Sequence, residues 1–359
     1  MTTTDCRPGP TNSLLDVAGM RVGHSTRRGD GWLSGTTVVL APDQGAVAGV
    51  DVRGGGPGTR ETDLLDPRNM VERVHAVVLS GGSAFGLGTV DGVLDRLCAA
   101  GVGLQVGGPG EVVPIVPAAV VFDLGRGGDF GCRPGRDEGA EAYDDAVAAG
   151  ATDLRQGVVG AGTGATVGGL KGAVGSASAV LEDGTTVAVL AVVNAFGAST
   201  DPETGELYAA RYCLPGELPP LARPSAAEVS EHRADVEAQY ARLGLRPGTA
   251  TTIGVVATDA TLTKAQCAKV SGIAHDGMAR AIRPVHTMFD GDSVFTLSTT
   301  RRDAPDPLGF HRLLEAAGDC FSRAIAHAVL AAETVETPGG RWRSYRDAFP
   351  SAFARAADH

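Results

Sequence analysis

The segment from Gly248 to Asp259 constrains the fold more than any other part of the sequence. It reads Gly-Thr-Ala-Thr-Thr-Ile-Gly-Val-Val-Ala-Thr-Asp. β-Branched side chains are stiff at χ1 and fit a pleated surface, so this run predicts a buried β-strand. The strand is predicted to begin with Thr251 and Thr252, which places two hydroxyl groups at its first residues.

The threonine pair allows two interpretations. On the local pattern alone, both are ordinary strand residues, and this interpretation is favoured for the segment by itself. The alternative is that the chain is cut before Thr251, so that the freed α-amine becomes the general base for the hydroxyl of the same residue. An α-amine has a pKa of about 7.7–8.0, which suits this role near neutral pH. The rest of the sequence has to decide between the two.

The composition indicates a tightly packed globular protein. The chain has 359 residues, enough for one large domain or two ordinary ones, and 43% of them are hydrophobic, so a sizeable core can form. Many of the 51 glycines lie inside apolar runs such as Val158–Gly162 and Gly168–Gly172. Glycines in such runs indicate close backbone packing rather than flexible linkers.

Charge, hydropathy and cysteine spacing exclude several protein classes. A net charge of −11 argues against a nucleic-acid partner, because such a protein needs a basic surface to displace phosphate counterions. No stretch has the length of an uncharged membrane span and the N-terminus has no apolar signal region, so we expect a cytoplasmic protein without a membrane partner. The cysteines lie far apart without a C-x-x-C pair, which predicts buried or inert thiols and neither a disulfide framework nor a zinc site. They are Cys6, Cys98, Cys132, Cys213, Cys267 and Cys320.

The order of apolar and polar runs predicts a mixed α/β chain. Besides the strand at Thr251, strands are expected at residues 17–24, 36–40, 46–52, 74–79 and 185–193. Helices are expected up to about residue 99, at about 225–243, from the cap Thr263 to before Pro284, and at about 308–333. The polar segment 201–249 ends in Leu245-Arg246-Pro247-Gly248, where a cleavable connection would be exposed.

A glycine turn, Ser80-Gly81-Gly82-Ser83-Ala84-Phe85-Gly86-Leu87-Gly88, lies between a predicted strand and a predicted helix. Free backbone N–H groups and the helix dipole make such a turn suitable for binding an anion. A nucleotide-binding protein is therefore one alternative, although the spacing is not G-x-G-x-x-G and there is no G-K-[ST]. An oxyanion or a carboxylate fits the turn as well.

Two isolated polar residues stand out against apolar surroundings. Lys171 is the only charged residue between Arg155 and Glu182. Because desolvating an ammonium group is costly, this lysine either reaches water with its end or is held in place for a purpose. Asn194 follows an apolar strand and is either a turn residue or an oxyanion donor.

The Asp290-Gly291-Asp292 turn precedes another predicted strand. A structural hairpin turn is its default interpretation, since the longer acidic loop of an EF-hand is absent. His286 lies close to these aspartates and is interpreted as a core or loop histidine. No G-x-S-x-G and no H-E-x-x-H occurs, so the sequence indicates neither a serine α/β-hydrolase nor a zinc hydrolase.

Several motifs in one order carry a resemblance to a known family. They are Thr251–Ala260, Arg283–Thr287, Asp290–Phe295, Val52–Thr62, Ser80–Gly86 and Val113–Pro117. Over nearly the whole chain, the sequence resembles the self-processing L-aminopeptidase/D-esterase family, which includes β-peptidyl aminopeptidases and nylon-oligomer hydrolases.

The resemblance implies a four-layer αββα sandwich of the N-terminal nucleophile hydrolase type. It implies a single domain that cuts itself into residues 1–250 and 251–359. The substrate would be a small peptide or amide, and no cofactor or metal would be required. The expected assembly is a homo-oligomer, a tetramer of processed heterodimers.

The resemblance also implies a role for each site residue. Thr251 matches the nucleophile, Asp290 and Asp292 match the acidic pair that orients it, and Lys171 matches a buried lysine near it. Asn194 matches the oxyanion asparagine. Further oxyanion or substrate contacts would come from the glycine turn, at Gly82, Ser83, Phe85, Gly86 and Leu87.

Two positions depart from the pattern of the family. Ala250 stands where relatives commonly have asparagine before the nucleophile, so cleavage at Ala250–Thr251 could be slower or absent. Phe122 stands where some nylon-hydrolase relatives have tyrosine, so a hydroxyl group is lost there. A threonine-nucleophile N-acetyltransferase on a related layered fold remains an alternative function. The sequence leaves open whether the substrate is an α-peptide, a β-peptide, an ester or a synthetic polyamide.

Overall fold

The computed structural model describes residues 6–149, 154–243 and 250–353 of the chain. Three features predicted from the sequence fall outside these ranges in whole or in part. They are the first five residues of the polar lead-in, the turn Leu245–Gly248 and the end of the C-terminal tail.

Short strands and long helices alternate along the chain. The strands are β1 (Arg21–Gly29), β2 (Trp32–Leu40), β3 (Ala46–Val52), β4 (Thr59–Arg60), β5 (Arg73–Val74), β6 (Ala76–Ser80), β7 (Leu104–Gln105), β8 (Val112–Val113), β9 (Ala118–Val120), β10 (Thr166–Val167), β11 (Leu170–Lys171), β12 (Val174–Val180), β13 (Thr186–Val192), β14 (Ile253–Ala260), β15 (Ser293–Arg302), β16 (Val335–Thr337) and β17 (Gly340–Trp342). The α-helices are α1 (Thr89–Ala99), α2 (Arg136–Ala148), α3 (Ala226–Leu243), α4 (Lys264–Ala281), α5 (Pro307–Ala331) and α6 (Tyr345–Ala348).

Two sheets lie face to face between two pairs of helices. The first sheet has the strand order β1-β2-β6-β9-β4, and the second has the order β12-β13-β14-β15-β3-β5. Helices α1 and α2 pack on the outer face of the first sheet, and α4 and α5 pack on the outer face of the second. The layers run helix, sheet, sheet, helix, which confirms the predicted αββα sandwich.

Alternation of side chains along the strands sorts the core into three apolar layers. In β2, Val38 packs with residues of α1 and α2, whereas its neighbour Val39 packs between the sheets. In β13, Val189 packs with α5 and Leu190 packs between the sheets. All four side chains are fully buried. Because both faces of each sheet are covered, the central strands are continuous apolar runs in the sequence.

Most elements lie where the sequence predicts them. Strand β3 occupies residues 46–52 as expected. Thr263 caps α4, with its side chain accepting a hydrogen bond from the Gln266 N–H and the Gln266 side chain accepting one from the Thr263 N–H. The glycine turn, by contrast, continues as a 3-10 helix (Ser83–Gly88) before α1 begins at Thr89.

Two expectations around the central strand were wrong. Strand β14 begins at Ile253 rather than at Thr251, because the Asp292 side chain rather than a neighbouring strand accepts the Thr252 N–H. The Asp290–Asp292 turn is not a hairpin turn, because β15 pairs with β14 in parallel. Parallel neighbours need a crossover connection, and here α4 supplies it before the aspartates lead into β15.

The structure also tests the expectations that the chain does not span a membrane and that its thiols are buried. Among the described residues, no helix is long and apolar enough to cross a membrane. All six cysteines are free, and Cys267 and Cys320 are buried as expected. Cys98 is exposed, so burial does not apply to that thiol.

Candidate active site

Thr251 lies two residues before the start of β14, at the edge of the second sheet where β13 ends. Its Oγ1 donates a hydrogen bond to the carbonyl oxygen of the preceding Ala250 at 2.5 Å. Its N–H donates to the backbone carbonyl of Asn194, also at 2.5 Å. The side chain is almost completely buried. The Thr251 hydroxyl therefore lies beside the carbonyl group of the peptide bond that precedes it.

Ala250 is held on the other side of the same peptide bond. Its N–H donates to the carbonyl of Phe289 at 3.3 Å, and the residue is 5% exposed. The Phe289 ring stacks on Phe196, with the ring centroids 5.2 Å apart. The Ala250–Thr251 bond is thus held by two backbone hydrogen bonds, one to the carbonyl of Phe289 and one to the carbonyl of Asn194.

Asp292 contacts the residue after the candidate nucleophile rather than the nucleophile itself. Its Oδ1 accepts the Thr252 N–H at 2.7 Å. Its Oδ2 accepts the backbone N–H of His286 at 3.1 Å and lies 2.8 Å from His286 Nδ1. His286 has a φ of 58°, a left-handed conformation that is strained for a non-glycine residue, and the two contacts with Asp292 hold it there.

Asp290 is buried beside Asp292. Its Oδ2 accepts hydrogen bonds from the Thr287 N–H at 2.8 Å and from Thr287 Oγ1 at 2.7 Å. Its Oδ1 is buried without a hydrogen-bond partner in the described part of the chain. Burial, and then the negative charge of Asp292, raise the pKa of Asp290.

The glycine loop at residues 54–56 supports the acidic turn. The Gly54 N–H donates to the Asp292 carbonyl, and the Gly56 N–H donates to the Asp290 carbonyl. A Cβ on Gly54 would lie 2.3 Å from the Asp292 nitrogen, and one on Gly291 would lie 2.8 Å from Thr251 Oγ1. Only glycine permits both approaches, so these glycines bring the acidic turn against the threonine.

Lys171 is fully buried, which rules out that it extends to water. Its Nζ donates to the carbonyls of Gly162 at 3.1 Å, Ala165 at 2.7 Å and Gly172 at 2.6 Å. Burial, and then the positive charge of Arg126, lower the pKa of Lys171 well below its ordinary value. The three hydrogen bonds of the ammonium group end on backbone carbonyls and not on Thr251, so the lysine fixes the loop at residues 162–172.

The Asn194 side chain is fully buried and oriented by Arg126, which sequence reasoning missed. Asn194 Oδ1 accepts hydrogen bonds from Arg126 Nη1 at 2.7 Å and from the Thr166 N–H at 3.0 Å. Its Nδ2 donates to the carbonyl of Phe122 at 3.3 Å. Arg126 lies between Gly125 and Gly127, and an arginine among glycines is the one signal that could have identified it.

The glycine turn uses the N–H groups of Gly81, Gly82 and Ser83 within the protein, and Gly81 donates to the Gly35 carbonyl at 2.9 Å. The Gly82 N–H donates to Asp123 Oδ1 at 2.7 Å, and the Ser83 N–H donates to the Val121 carbonyl at 3.0 Å. The Phe85 ring is 52% exposed, with the Arg133 guanidinium 3.6 Å from its centroid. The N–H groups at the start of the turn are therefore not free to bind a phosphate. An oxyanion role for Phe85, Gly86 and Leu87 stays a prediction.

A comparison with protein families decides the family. The sequence model of "Peptidase family S58" matches residues 12–343 of the chain. The chain belongs to peptidase family S58.

Relatives of this S58 peptidase agree over almost its full length. A protein of Mycobacterium tuberculosis (strain ATCC 25618 / H37Rv) named as an uncharacterized aminopeptidase is 46% identical over an alignment 366 residues long. The alignment covers 95% of this chain and 99% of that protein. The structure of a Burkholderia sp. beta-aminopeptidase superposes with a TM-score of 0.72 at 21% identity and covers 97% of this chain and 96% of the other. The L-aminopeptidase D-Ala-esterase/amidase of Ochrobactrum anthropi, described as a variant of the Ntn hydrolase fold, gives a TM-score of 0.69 at 20% identity, with 94% and 92% covered.

These findings confirm the family resemblance and the N-terminal nucleophile hydrolase type of fold. The S58 chain is a hydrolase that acts on peptide bonds. Neither alternative, an N-acetyltransferase or a nucleotide-binding protein, has support among the relatives. Among the described residues, no group of three or more histidine, cysteine, aspartate or glutamate side chains is placed to hold a metal ion.

Proposed function

We propose that this protein is a self-processing aminopeptidase that hydrolyses amide bonds through an acyl-enzyme on Thr251. The observation that carries the proposal is the position of Thr251 Oγ1, 2.5 Å from the carbonyl oxygen of Ala250. A hydroxyl in this position is next to the carbonyl carbon that an N→O acyl shift has to attack.

Processing would take place in two balanced steps. Thr251 Oγ1 attacks the Ala250 carbonyl carbon, the bond from that carbon to the Thr251 nitrogen breaks, and the proton of the hydroxyl passes to the freed amine. Water then hydrolyses the Ala250 ester, which releases the carboxylate of Ala250 and restores the hydroxyl. The products are residues 1–250 and 251–359. Since the threonine hydroxyl performs the attack, the alanine in place of asparagine does not prevent it.

The same groups would serve substrate hydrolysis. The freed α-amine, with a pKa of about 7.7–8.0, accepts the hydroxyl proton as Thr251 attacks the substrate carbonyl. Asn194 Nδ2 is the proposed donor to the oxyanion, because an amide nitrogen carries two hydrogens and the bond to Phe122 uses one. The amine then protonates the leaving group, and water attacks the acyl ester to release the acid.

The acidic turn would position the nucleophile. Asp292 anchors the backbone of Thr252 and thereby fixes the direction in which the Thr251 amine points after cleavage. Asp290 has a buried carboxylate oxygen without a partner in the described residues, and it is the proposed acceptor for that amine. Lys171 would act at a distance by holding the carbonyls of the loop that packs against Asn194.

Mass spectrometry under denaturing conditions tests the proposal together with two matched variants. The wild-type chain is expected as fragments 1–250 and 251–359, whereas Thr251→Ala stays intact and inactive. Thr252→Ala removes the neighbouring hydroxyl, which is buried without a partner in the described residues, and is expected to process normally. An intact wild-type chain with full aminopeptidase activity, or an active Thr251→Ala variant, would overturn the proposal.

A further inference from the structure

The loop of residues 162–166 joins three polar side chains at the candidate site. Arg126 Nη1 donates to the Gly164 carbonyl at 2.6 Å, and Lys171 Nζ donates to the Ala165 carbonyl at 2.7 Å. The next residue, Thr166, donates its N–H to Asn194 Oδ1 at 3.0 Å. Three consecutive residues of one backbone segment thus align the arginine, the lysine and the asparagine.

Arg126 also makes a direct contact with Asn194. Both donors at Asn194 Oδ1, Arg126 Nη1 and the Thr166 N–H, are groups that carry hydrogen and cannot accept. If the Asn194 amide rotated by about 180°, its NH2 group would face these two donors and neither could form a hydrogen bond with it. The contacts therefore keep Nδ2 on the opposite side, where the proposed mechanism needs a donor.

The Arg126 guanidinium group is shielded from water, although a charged group is more stable when it is hydrated. Burial lowers the pKa of Arg126 to about 10, and the nearby charge of Asp123 opposes that shift. Asp123 is itself fully buried and fixed by Ser34 Oγ at 2.7 Å and by the Gly82 N–H at 2.7 Å. A cation in a poorly hydrated place polarises the amide to which it donates more strongly than it would in water.

We propose that Arg126 is a positioning residue for amide hydrolysis. Its guanidinium group fixes and polarises the Asn194 side chain, so that Nδ2 donates a stronger hydrogen bond to the oxyanion. Arg126 does so through Asn194, whose backbone carbonyl also accepts the Thr251 N–H. This inference rests on the proposed function, since it assigns Asn194 Nδ2 to the oxyanion.

The test compares the processed forms of Arg126→Ala, Arg126→Lys and Asn194→Ala on one aminoacyl amide substrate, with the cleaved fraction quantified by mass spectrometry. Loss of an oxyanion donor costs about 10²–10³-fold in kcat, so a residue that acts through the donor is expected to cost about tenfold or more when lost. For Arg126→Ala, kcat should fall while KM stays within about threefold, because a transition-state contact is weakened and not substrate binding. Arg126→Lys retains the charge but not the planar fork, and its kcat is expected between those of wild type and Arg126→Ala.

Chemical rescue separates positioning from a merely structural role. Guanidinium chloride at concentrations far below those that unfold proteins should restore much of kcat in Arg126→Ala and none in Asn194→Ala, and urea at equal concentration should restore neither. Arg28→Ala is the matched control, because Arg28 donates to the carbonyl of Val158, influences the pKa of Lys171 and has no hydrogen bond to Asn194. It is expected to keep wild-type kcat.

The outcomes distinguish this inference from the proposed function. Normal kcat in Arg126→Ala beside an impaired Asn194→Ala overturns the role of Arg126 and leaves the proposed function standing. Normal kcat in Asn194→Ala overturns the oxyanion assignment and with it the role of Arg126, whereas the acyl-enzyme on Thr251 is overturned only by the outcomes given for the proposed function. If Arg126→Ala does not fold, a normal kcat in Arg126→Lys with guanidinium-independent rates overturns the inference, and a reduced kcat with unchanged KM supports it.

Discussion

At the scale of single residues, two adjacent threonines have different surroundings. The Thr251 hydroxyl donates to the carbonyl before it, whereas the Thr252 hydroxyl is buried without a partner among the described residues. Thr252 instead contributes its N–H, which Asp292 accepts. Thr251 therefore carries the proposed nucleophile, and Thr252 carries the backbone N–H that anchors the chain next to it.

Asp292→Asn is expected to slow both processing and turnover. An asparagine can accept with one oxygen only and carries no charge, so it cannot hold both the Thr252 N–H and His286. A hydrogen bond to a charged group is worth about 1.5–3 kcal/mol, which corresponds to about a 10- to 100-fold slower rate if it is lost in the transition state. The time course of fragment formation and kcat of the processed form measure the effect.

Asp276→Asn is the control for that variant. Asp276 pairs with Arg53 at 3.2 Å and its side chain is 52% exposed. Removing a charge in such a place changes stability by about 0–1 kcal/mol and should leave both rates unchanged. Wild-type rates in Asp292→Asn would contradict the anchoring role of this aspartate.

At the scale of elements, α5 is attached to the large part of the chain by a buried ion pair. Arg323 Nε lies 2.9 and 2.8 Å from the two carboxylate oxygens of Glu217, and Arg323 Nη2 donates to Asn12 Oδ1 at 2.8 Å. The Arg323 and Glu217 side chains are 1% and 2% exposed. His327, one turn further along α5, places its Nε2 3.1 Å from the same carboxylate. The contacts of Arg323 join α5 to two segments far away in sequence, at Asn12 and at Glu217.

Glu217→Gln is expected to destabilise the protein by about 3–5 kcal/mol, because it leaves the Arg323 charge buried and unpaired. Glu182→Gln removes an equivalent carboxylate from Arg312, but both of those side chains are 48% exposed, so a loss of about 0–1 kcal/mol is expected. Denaturant unfolding of the three proteins measures the difference. Equal stabilities of the two variants would contradict the role of the buried pair.

The same pair predicts a pH dependence of stability. Burial by itself raises the pKa of Glu217, but hydrogen bonds from His327 and Arg323 outweigh it and leave the pKa lowered. A carboxylate with a lowered folded-state pKa stabilises the fold above its unfolded pKa of about 4.3 and loses this contribution as the pH falls toward the folded-state pKa. The stability difference between wild type and Glu217→Gln should therefore be largest above about pH 4.3 and shrink in more acidic solution.

At the scale of the whole molecule, the proposed cut does not divide the fold into separable parts. The fragment 251–359 contributes β14 and β15, and the fragment 1–250 contributes the other strands of the second sheet. In that sheet, β14 pairs with β13 on one side and β15 pairs with β3 on the other. Each fragment without the other would leave the edges of buried strands unpaired.

We therefore expect the two fragments to stay together after cleavage. In gel filtration without denaturant, they should elute as one species at the volume of intact Thr251→Ala, and they should separate only in strong denaturant. A small fragment that elutes by itself under native conditions would contradict this expectation.

Local patterns made a mixed α/β chain and most element positions predictable, because apolar runs, glycine turns and a capping box act within a few residues. The αββα layering was predicted from the family resemblance. Lys171 and Asn194 were identifiable because each is a single polar residue among apolar ones. Arg126 was missed because an arginine among loop glycines looks the same in sequence whether it faces solvent or a buried amide. The start of β14 was misplaced because its first N–H groups bond outside the strand ladder, to partners that no local pattern reveals.

By itself, the sequence determined a mixed α/β chain, a buried central strand preceded by two threonines, and a small set of isolated polar residues, and its family resemblance added the layered fold. Only the tertiary structure decided which of them meet. Thr252 and Asp292 are 40 positions apart, and Arg126 and Asn194 are 68 positions apart, and each pair is within hydrogen-bond distance. Contacts of this kind depend on how the sheets stack and how loops close over them, and local residue patterns do not reveal these long-range arrangements.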